Sequence, residues 1–273
     1  MITLESGKEG SRMAHRLATS VEPVRIAMWS GPRNISTAMM RSFGARSDTA
    51  VVDEPFYAAY LAATGVIHPM NEEVLASQPQ DWRDVVKSLL GPIPGGKAIY
   101  YQKHMTHHMV SGFRRDWMAQ ATNAFLIRDP SAVLASYILK RGQANLTDIG
   151  IVQQRELFER EADRLGAAPP VVESTDILAD PAGALERLCG ALGIDYTPAM
   201  LSWAAGRRDT DGVWAPAWYG AVEQSTGFES PRESAQVHLP DELQRIAAAA
   251  RPHYEAMAKY RLKSFPAAGG NRK

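Results

Sequence analysis

Residues 29–40 read WSGPRNISTAMM. The apolar run VRIAM just before them reads as a strand, and the apolar spacing of Ile35, Met39, Met40 and Phe43 reads as a helix. A strand, a tight turn and a helix N-terminus make an anion site, because the first N–H groups of a helix have no internal partner and lie at the positive end of its dipole. The nucleotide phosphate loop ends in Gly-Lys-Ser/Thr. Here there is no Gly-Lys: Arg33 supplies the cation, and Ser36 and Thr37 follow it. Gly31 permits a tight turn and close backbone approach, and Arg33 offers a planar fork to a phosphate. The plainer alternative is a strand-to-helix turn in which Ser36 serves as a cap.

Working outward, further short apolar runs fall at 49–53, 98–102, 123–127 and 170–173, with helical patterns at 35–43, 81–90, 110–120, 131–141, 149–165 and 181–193. Alternating strands and helices predict an α/β fold: a parallel sheet flanked by helices on both faces, of the P-loop NTPase kind. Such sheets bind ligands beyond the carboxyl ends of their strands. The stretch 204–232 breaks the alternation. It is rich in Gly, Pro and Trp, which suggests a lid or binding loop. Residues 1–22 read as a mobile lead-in, with Met13 a possible alternative start. Residues 23–262 read as one domain, and 263–273 as a disordered tail.

The chain has 273 residues, 30 basic against 30 acidic. A neutral total argues against a nucleic-acid coat or a membrane-surface protein, while leaving room for a local basic pocket. No apolar run approaches the roughly 20 residues of a membrane span. The single cysteine, Cys189, sits in an apolar pattern. It reads as a core residue in a reducing, cytoplasmic compartment.

Three further stretches carry chemistry. Asp53-Glu54 closes the second strand, where a carboxylate could hold Mg²⁺ for an NTPase or take a proton from an acceptor hydroxyl. QKHMTHHM (102–109) closes the third strand and brings Lys103 and His104 toward the same crevice. Its three histidines suggest a metal, but the spacing supplies no accompanying thiolate or carboxylate, and no metal is expected. FLIRDPSAVLASY (125–137) is a strand, a charged turn and a helix carrying Arg128 and Ser136. Taken alone, that turn reads equally as local capping and pairing.

Together these stretches resemble the sulfotransferases that use 3′-phosphoadenylyl sulfate (PAPS). PRNIST (32–37) is similar to the family's Pro-Lys/Arg-Ser-Gly-Thr-Thr loop, and RDPSAVLAS (128–136) to its Arg-Asx-Pro…Ser turn. ESTDILADPAGALERLCGALGIDY (173–196) resembles a later strand and helix of the family, and 206–219 loosely resembles its late Arg-Lys-Gly and Gly-Asp-Trp segment. The wording WSGPRNIST…VVDEPFY…YQKHM…RDP also resembles a bacterial-type subgroup and one found fused to aminotransferase-like domains in plants. The resemblance runs over about 24–228.

The resemblance implies that Gly31, Pro32, Arg33, Asn34, Ser36 and Thr37 hold the 5′-phosphosulfate. It implies that Arg128 and Ser136 hold the 3′-phosphate, and that Arg207, Arg208 and Trp214 belong to the late donor-binding segment. Glu54 would be the base, as in the branch with Pro-Arg loops; His104 is the alternative, as in the branch with a Lys-Thr-His stretch. Lys103 or His104 would steady the leaving phosphate, and Arg33 would neutralise the phosphosulfate bridge. PAPS is then the co-substrate, with no metal, and a small molecule is the acceptor, with no nucleic acid or membrane. One departure stands out: Asn34-Ile35 replaces Ser-Gly. Since a β-branched residue resists left-handed backbone, the backbone there is expected to be helical already, or bent elsewhere. Two other readings stay open: a small-molecule kinase or NTPase, and a nucleotide-binding module without turnover.

Overall fold

The computed structural model describes residues 22–229 and 239–263. The expectations for most of the lead-in and tail, and for 230–232, lie outside the described residues. Five strands form one sheet: β1 (Val24–Ser30), β2 (Thr49–Asp53), β3 (Ile99–Met105), β4 (Thr122–Ile127) and β5 (Val171–Glu173). Their order is β2-β3-β1-β4-β5, and every neighbouring pair is parallel. The near-continuous apolar runs follow from burial on both faces. Along β1, Ile26 and Met28 face a core with Met39, Phe43, Tyr101 and Leu126, while Ala27 and Trp29 face another with Phe56, Trp117 and Phe125.

The helices are α1 (Ser36–Gly44), α2 (Tyr57–Thr64), α3 (Asn71–Ser77), α4 (Trp82–Leu90), α5 (Pro130–Arg141), α6 (Ile151–Leu165), α7 (Ser174–Ala179), α8 (Pro181–Leu192), the short α9 (Ala215–Trp218) and α10 (Gly220–Gln224), and α11 (Asp241–Ala258). Residues of α1 and α8 build the core under one face of the sheet; α4, α5, α6 and α11 contribute to the other. β1 sits between β3 and β4, so chain crossovers leave it on both sides. That is the switch point beyond which an open parallel sheet makes its ligand crevice.

The expected helix at 110–120 is replaced by a short 3₁₀ turn, Asp116–Gln120. Ser111-Gly112 interrupts the pattern, and glycine costs a helix about 1 kcal/mol relative to alanine. Phe113 and Trp117 still reach the core. The helical spacing there reflects two anchoring side chains, not a helix. In contrast, α2 (YAAYLAAT) shows no apolar period because Tyr57, Ala58, Ala59 and Leu61 are all buried.

Candidate active site

The phosphate-type loop follows β1 directly. A side chain at Gly31 would run into the Ile149 carbonyl oxygen, so the position admits only hydrogen. Asn34 Nδ2 donates to the Leu126 carbonyl at 3.1 Å, tying the loop to β4. Arg33 (φ 61°) and Ile35 (φ 56°) both take left-handed backbone. The expectation that Ile35 would avoid left-handed backbone is therefore wrong. The loop must reverse at this point to present the N-terminus of α1, and the surroundings hold a β-branched residue where the family has glycine. Such a conformation costs about 1–3 kcal/mol. Ile35 gives α1 no side-chain cap, so its first N–H groups have no capping side chain.

α5 supplies the other half of this anion site. Asp129 caps it by accepting from the N–H groups of Ser131 and Ala132, and Pro130 fits the first turn. The capped turn presents Arg128, whose Nη1 donates to the Arg33 carbonyl at 2.7 Å. Arg33 Nε donates to Ser136 Oγ at 2.9 Å. Thus Arg33, Arg128 and Ser136, drawn from two motifs, converge. Neither guanidinium has an ion-pair partner among the described residues. Burial lowers the proton affinity of both, and the Arg128 charge lowers that of Arg33 further. Two half-buried guanidiniums thus lie side by side.

The second group lies at the ends of β2 and β3. Lys103 Nζ contacts Asp53 Oδ1 and Glu54 Oε1 at 2.8 Å each and Tyr219 Oη at 2.6 Å. Its three N–H bonds are thereby used, leaving none for a phosphate. Asp53 Oδ2 accepts from Tyr219 Oη at 2.6 Å and from the Gly212 N–H at 3.1 Å. Trp214 Nε1 donates to Tyr219 Oη at 3.1 Å. The Asp53 side chain is 2% exposed and that of Glu54 11%. Burial raises the Glu54 carboxyl above its usual value, against the pull of the Lys103 charge. Glu54 also holds left-handed backbone (φ 38°), strain that concentrates at working sites.

Not every expected residue joins these groups. Adjacent strand residues point to opposite faces. Lys103 turns to the carboxylates, while His104 stacks on Trp29 at 4.4 Å and contacts Gln102 at 3.1 Å. Burial holds His104 down to about 3, a neutral ring inside the core. Arg207 is exposed, and Arg208 reaches the Ala204 carbonyl at 2.7 Å. Trp214 is buried against Tyr57, not open on the crevice. Among the described residues no three His, Cys, Asp or Glu side chains are grouped to hold a metal ion, and no helix is long and apolar enough to cross a membrane.

Sequence reasoning missed the buried pair of Arg41 and Asp211 (2.6 Å), which binds the 206–212 stretch to α1. A charged residue inside the buried run MMRSF was the available signal. The late segment, expected to be irregular, contains α9 and α10 and packs Trp214 and Tyr219 into a third cluster with Tyr57.

An all-parallel sheet with a strand–loop–helix anion site defines a phosphate-loop type of fold. Within it, a family model described as the sulfotransferase domain matches residues 24–261, and the chain belongs to that family. Two Arabidopsis thaliana proteins, branched-chain-amino-acid aminotransferase-like proteins 1 and 2, are 37% and 35% identical over 212 and 211 residues, which are 78% and 77% of this chain. The matched stretch is only 38% and 37% of their own length, so this chain spans less than two fifths of those curated relatives. The sulfotransferase domain from the Synechococcus PCC 7002 olefin synthase shares the fold, with a TM-score of 0.53 at 16% identity over 91% of this chain and 98% of that one. So does the sulfotransferase domain from the curacin biosynthetic pathway, with a TM-score of 0.50 at 15% identity over 85% and 99%.

Proposed function

We propose that this chain transfers a sulfuryl group from PAPS to a hydroxyl (or amine) of a small-molecule acceptor, without a metal. The observation that carries this reading is the convergence of Arg33, Arg128 and Ser136, two guanidiniums with no ion-pair partner among the described residues, on the same parallel sheet whose β2 ends in the buried carboxylates Asp53 and Glu54. Arg128 and Ser136 would grip the 3′-phosphate, which separates this donor from ATP. Arg33 and the N-terminus of α1 would neutralise the phosphosulfate bridge. Glu54, the more exposed carboxylate of the pair, would take the acceptor's proton as its oxygen bonds to sulfur. The bond from sulfur to the bridging oxygen breaks, and its electron pair leaves with adenosine 3′,5′-bisphosphate. A sulfuryl group carries less charge than a phosphoryl group, so fixed cations suffice.

Calorimetry tests the donor site. Adenosine 3′,5′-bisphosphate should bind without metal and more tightly than ADP. A preference for ATP with Mg²⁺ would favour a kinase instead.

A further inference from the structure

Lys103 is 1% exposed and its ammonium is held from three directions, by Asp53, Glu54 and Tyr219. The third direction comes from a chain segment more than a hundred residues away, since Tyr219 lies 116 positions from Lys103. Tyr219 Oη also donates to Asp53, and the Gly212 N–H donates to the same carboxylate oxygen. Asp53 thus accepts from Lys103, Tyr219 and the Gly212 N–H, while Glu54 accepts from Lys103 and lies within reach of the Tyr219 hydroxyl. The stretch 212–219 therefore completes the hydrogen bonding behind Glu54, chiefly through Asp53 and Lys103.

We propose that Tyr219 and Asp53 are positioning residues for the base: with Lys103 they hold the Glu54 carboxylate at the crevice, so that its proton affinity is set by the docked 212–219 stretch. This rests on the reading of Glu54 as the base. Lys103, which the resemblance assigns to the leaving phosphate, instead belongs to the base.

The charged and titratable groups that face Glu54 are Asp53 on β2, Lys103 on β3, Tyr219 beyond α9 and Tyr57 on α2. Lys103 and the Tyr219 hydroxyl favour the carboxylate; the Asp53 charge favours the protonated acid. The two positioning residues therefore push in opposite directions. Tyr219→Phe deletes a hydroxyl that steadies Lys103 and should raise the Glu54 midpoint. Asp53→Asn keeps the shape, removes a like charge and releases Lys103 to Glu54, so it should lower the midpoint.

Infrared titration of the full chain reads this directly. The carbonyl stretch of the protonated carboxyl, identified as the band that Glu54→Gln removes, gives the Glu54 midpoint in each variant. Shifts of opposite sign, each about one pH unit, are expected for a charge or hydrogen bond lost at this range. Each variant's sign stands alone if the other fails to fold. Unchanged midpoints, or two shifts of the same sign, would overturn the positioning role. Turnover of PAPS by Glu54→Gln is measured separately: if it equals wild type, the base assignment fails while the titration result stands.

Discussion

Asp53 and Glu54 are neighbours in the chain, yet their carboxylates live differently: Asp53 accepts from Lys103, Tyr219 and the Gly212 N–H and is 2% exposed, whereas Glu54 accepts chiefly from Lys103 and stands closer to solvent at 11%. A fully satisfied carboxylate is a poor proton acceptor, and a partly satisfied one raised by burial is a good one. This difference assigns the base to Glu54 within the proposed reaction.

Glu54→Gln keeps the shape and deletes the proton acceptor. Turnover of PAPS with a panel of hydroxyl acceptors should fall by about 10² or more, the scale of general-base loss, while calorimetry shows unchanged bisphosphate affinity. Loss of both together would make Glu54 a structural residue.

Arg128→Ala should weaken adenosine 3′,5′-bisphosphate by about 1.5–3 kcal/mol, the usual worth of a charge-assisted contact. ADP, which lacks the 3′-phosphate, should lose much less. Equal losses would remove Arg128 from the 3′-phosphate, and they are plausible only if its contact with the Arg33 carbonyl matters more than the ligand does.

Ile35→Gly relieves a left-handed β-branched residue. Glycine in such a position avoids a strain of about 1–2 kcal/mol but gives back part of that through unfolded-chain entropy. The Ile35 side chain also packs on the α1-side core. Urea denaturation should therefore show a stability change within about 1 kcal/mol of zero. A loss of several kcal/mol would mean that packing, not backbone, governs the position.

Histidine burial makes stability fall with acid. His104 and His107 are held down to about 3 by desolvation, against about 6.5 in an unfolded chain. The unfolded state takes up their protons first as pH drops below 6.5, so stability is full above that value and is lost between 6.5 and 3. Each buried ring contributes a slope of up to about 1.4 kcal/mol per pH unit. Urea midpoints at pH 7 and pH 5 measure the combined slope, and His104→Gln should flatten it; an unchanged slope would place the titration elsewhere.

Asp211→Ala leaves the Arg41 charge buried without its partner, since the pair's side chains are 3% and 0% exposed. Breaking such a pair costs about 3–5 kcal/mol, and the thermal midpoint should drop accordingly. A negligible drop would show that the 206–212 stretch is held mainly by its other contacts, such as the Gly212 N–H on Asp53.

The sheet was legible because buried parallel strands are short apolar runs, and all five runs lie within one or two residues of a strand except at the end of β3, which continues to Met105. The meeting of the PRNIST and RDPSAVLAS loops was legible because each is a local strand-to-helix turn at the end of a neighbouring strand. What sequence could not supply was side-chain direction. His104 and Lys103 look equivalent in QKHM, and only strand parity against Trp29 separates them. The Tyr219 hydroxyl, pointed at Asp53, depends on a fold of the late segment that no periodicity announces. Ile35 was misjudged because propensity was weighed without the tertiary contacts that override it.

The anion loop is locally short but globally assembled: Arg33 meets Ser136 across 103 positions, Arg128 meets the Arg33 carbonyl across 95, and Asn34 meets the Leu126 carbonyl across 92. No fragment ending before α5 has both halves. Donor-site binding should therefore emerge late during refolding, after the long-range strand pairings whose loop-closure cost slows parallel sheets. Any ligand captured there favours the complete native chain over every partly folded form, by mass action. A bisphosphate-affinity column would accordingly retain finished molecules and pass incomplete ones, making the site a gauge of its own protein's maturation.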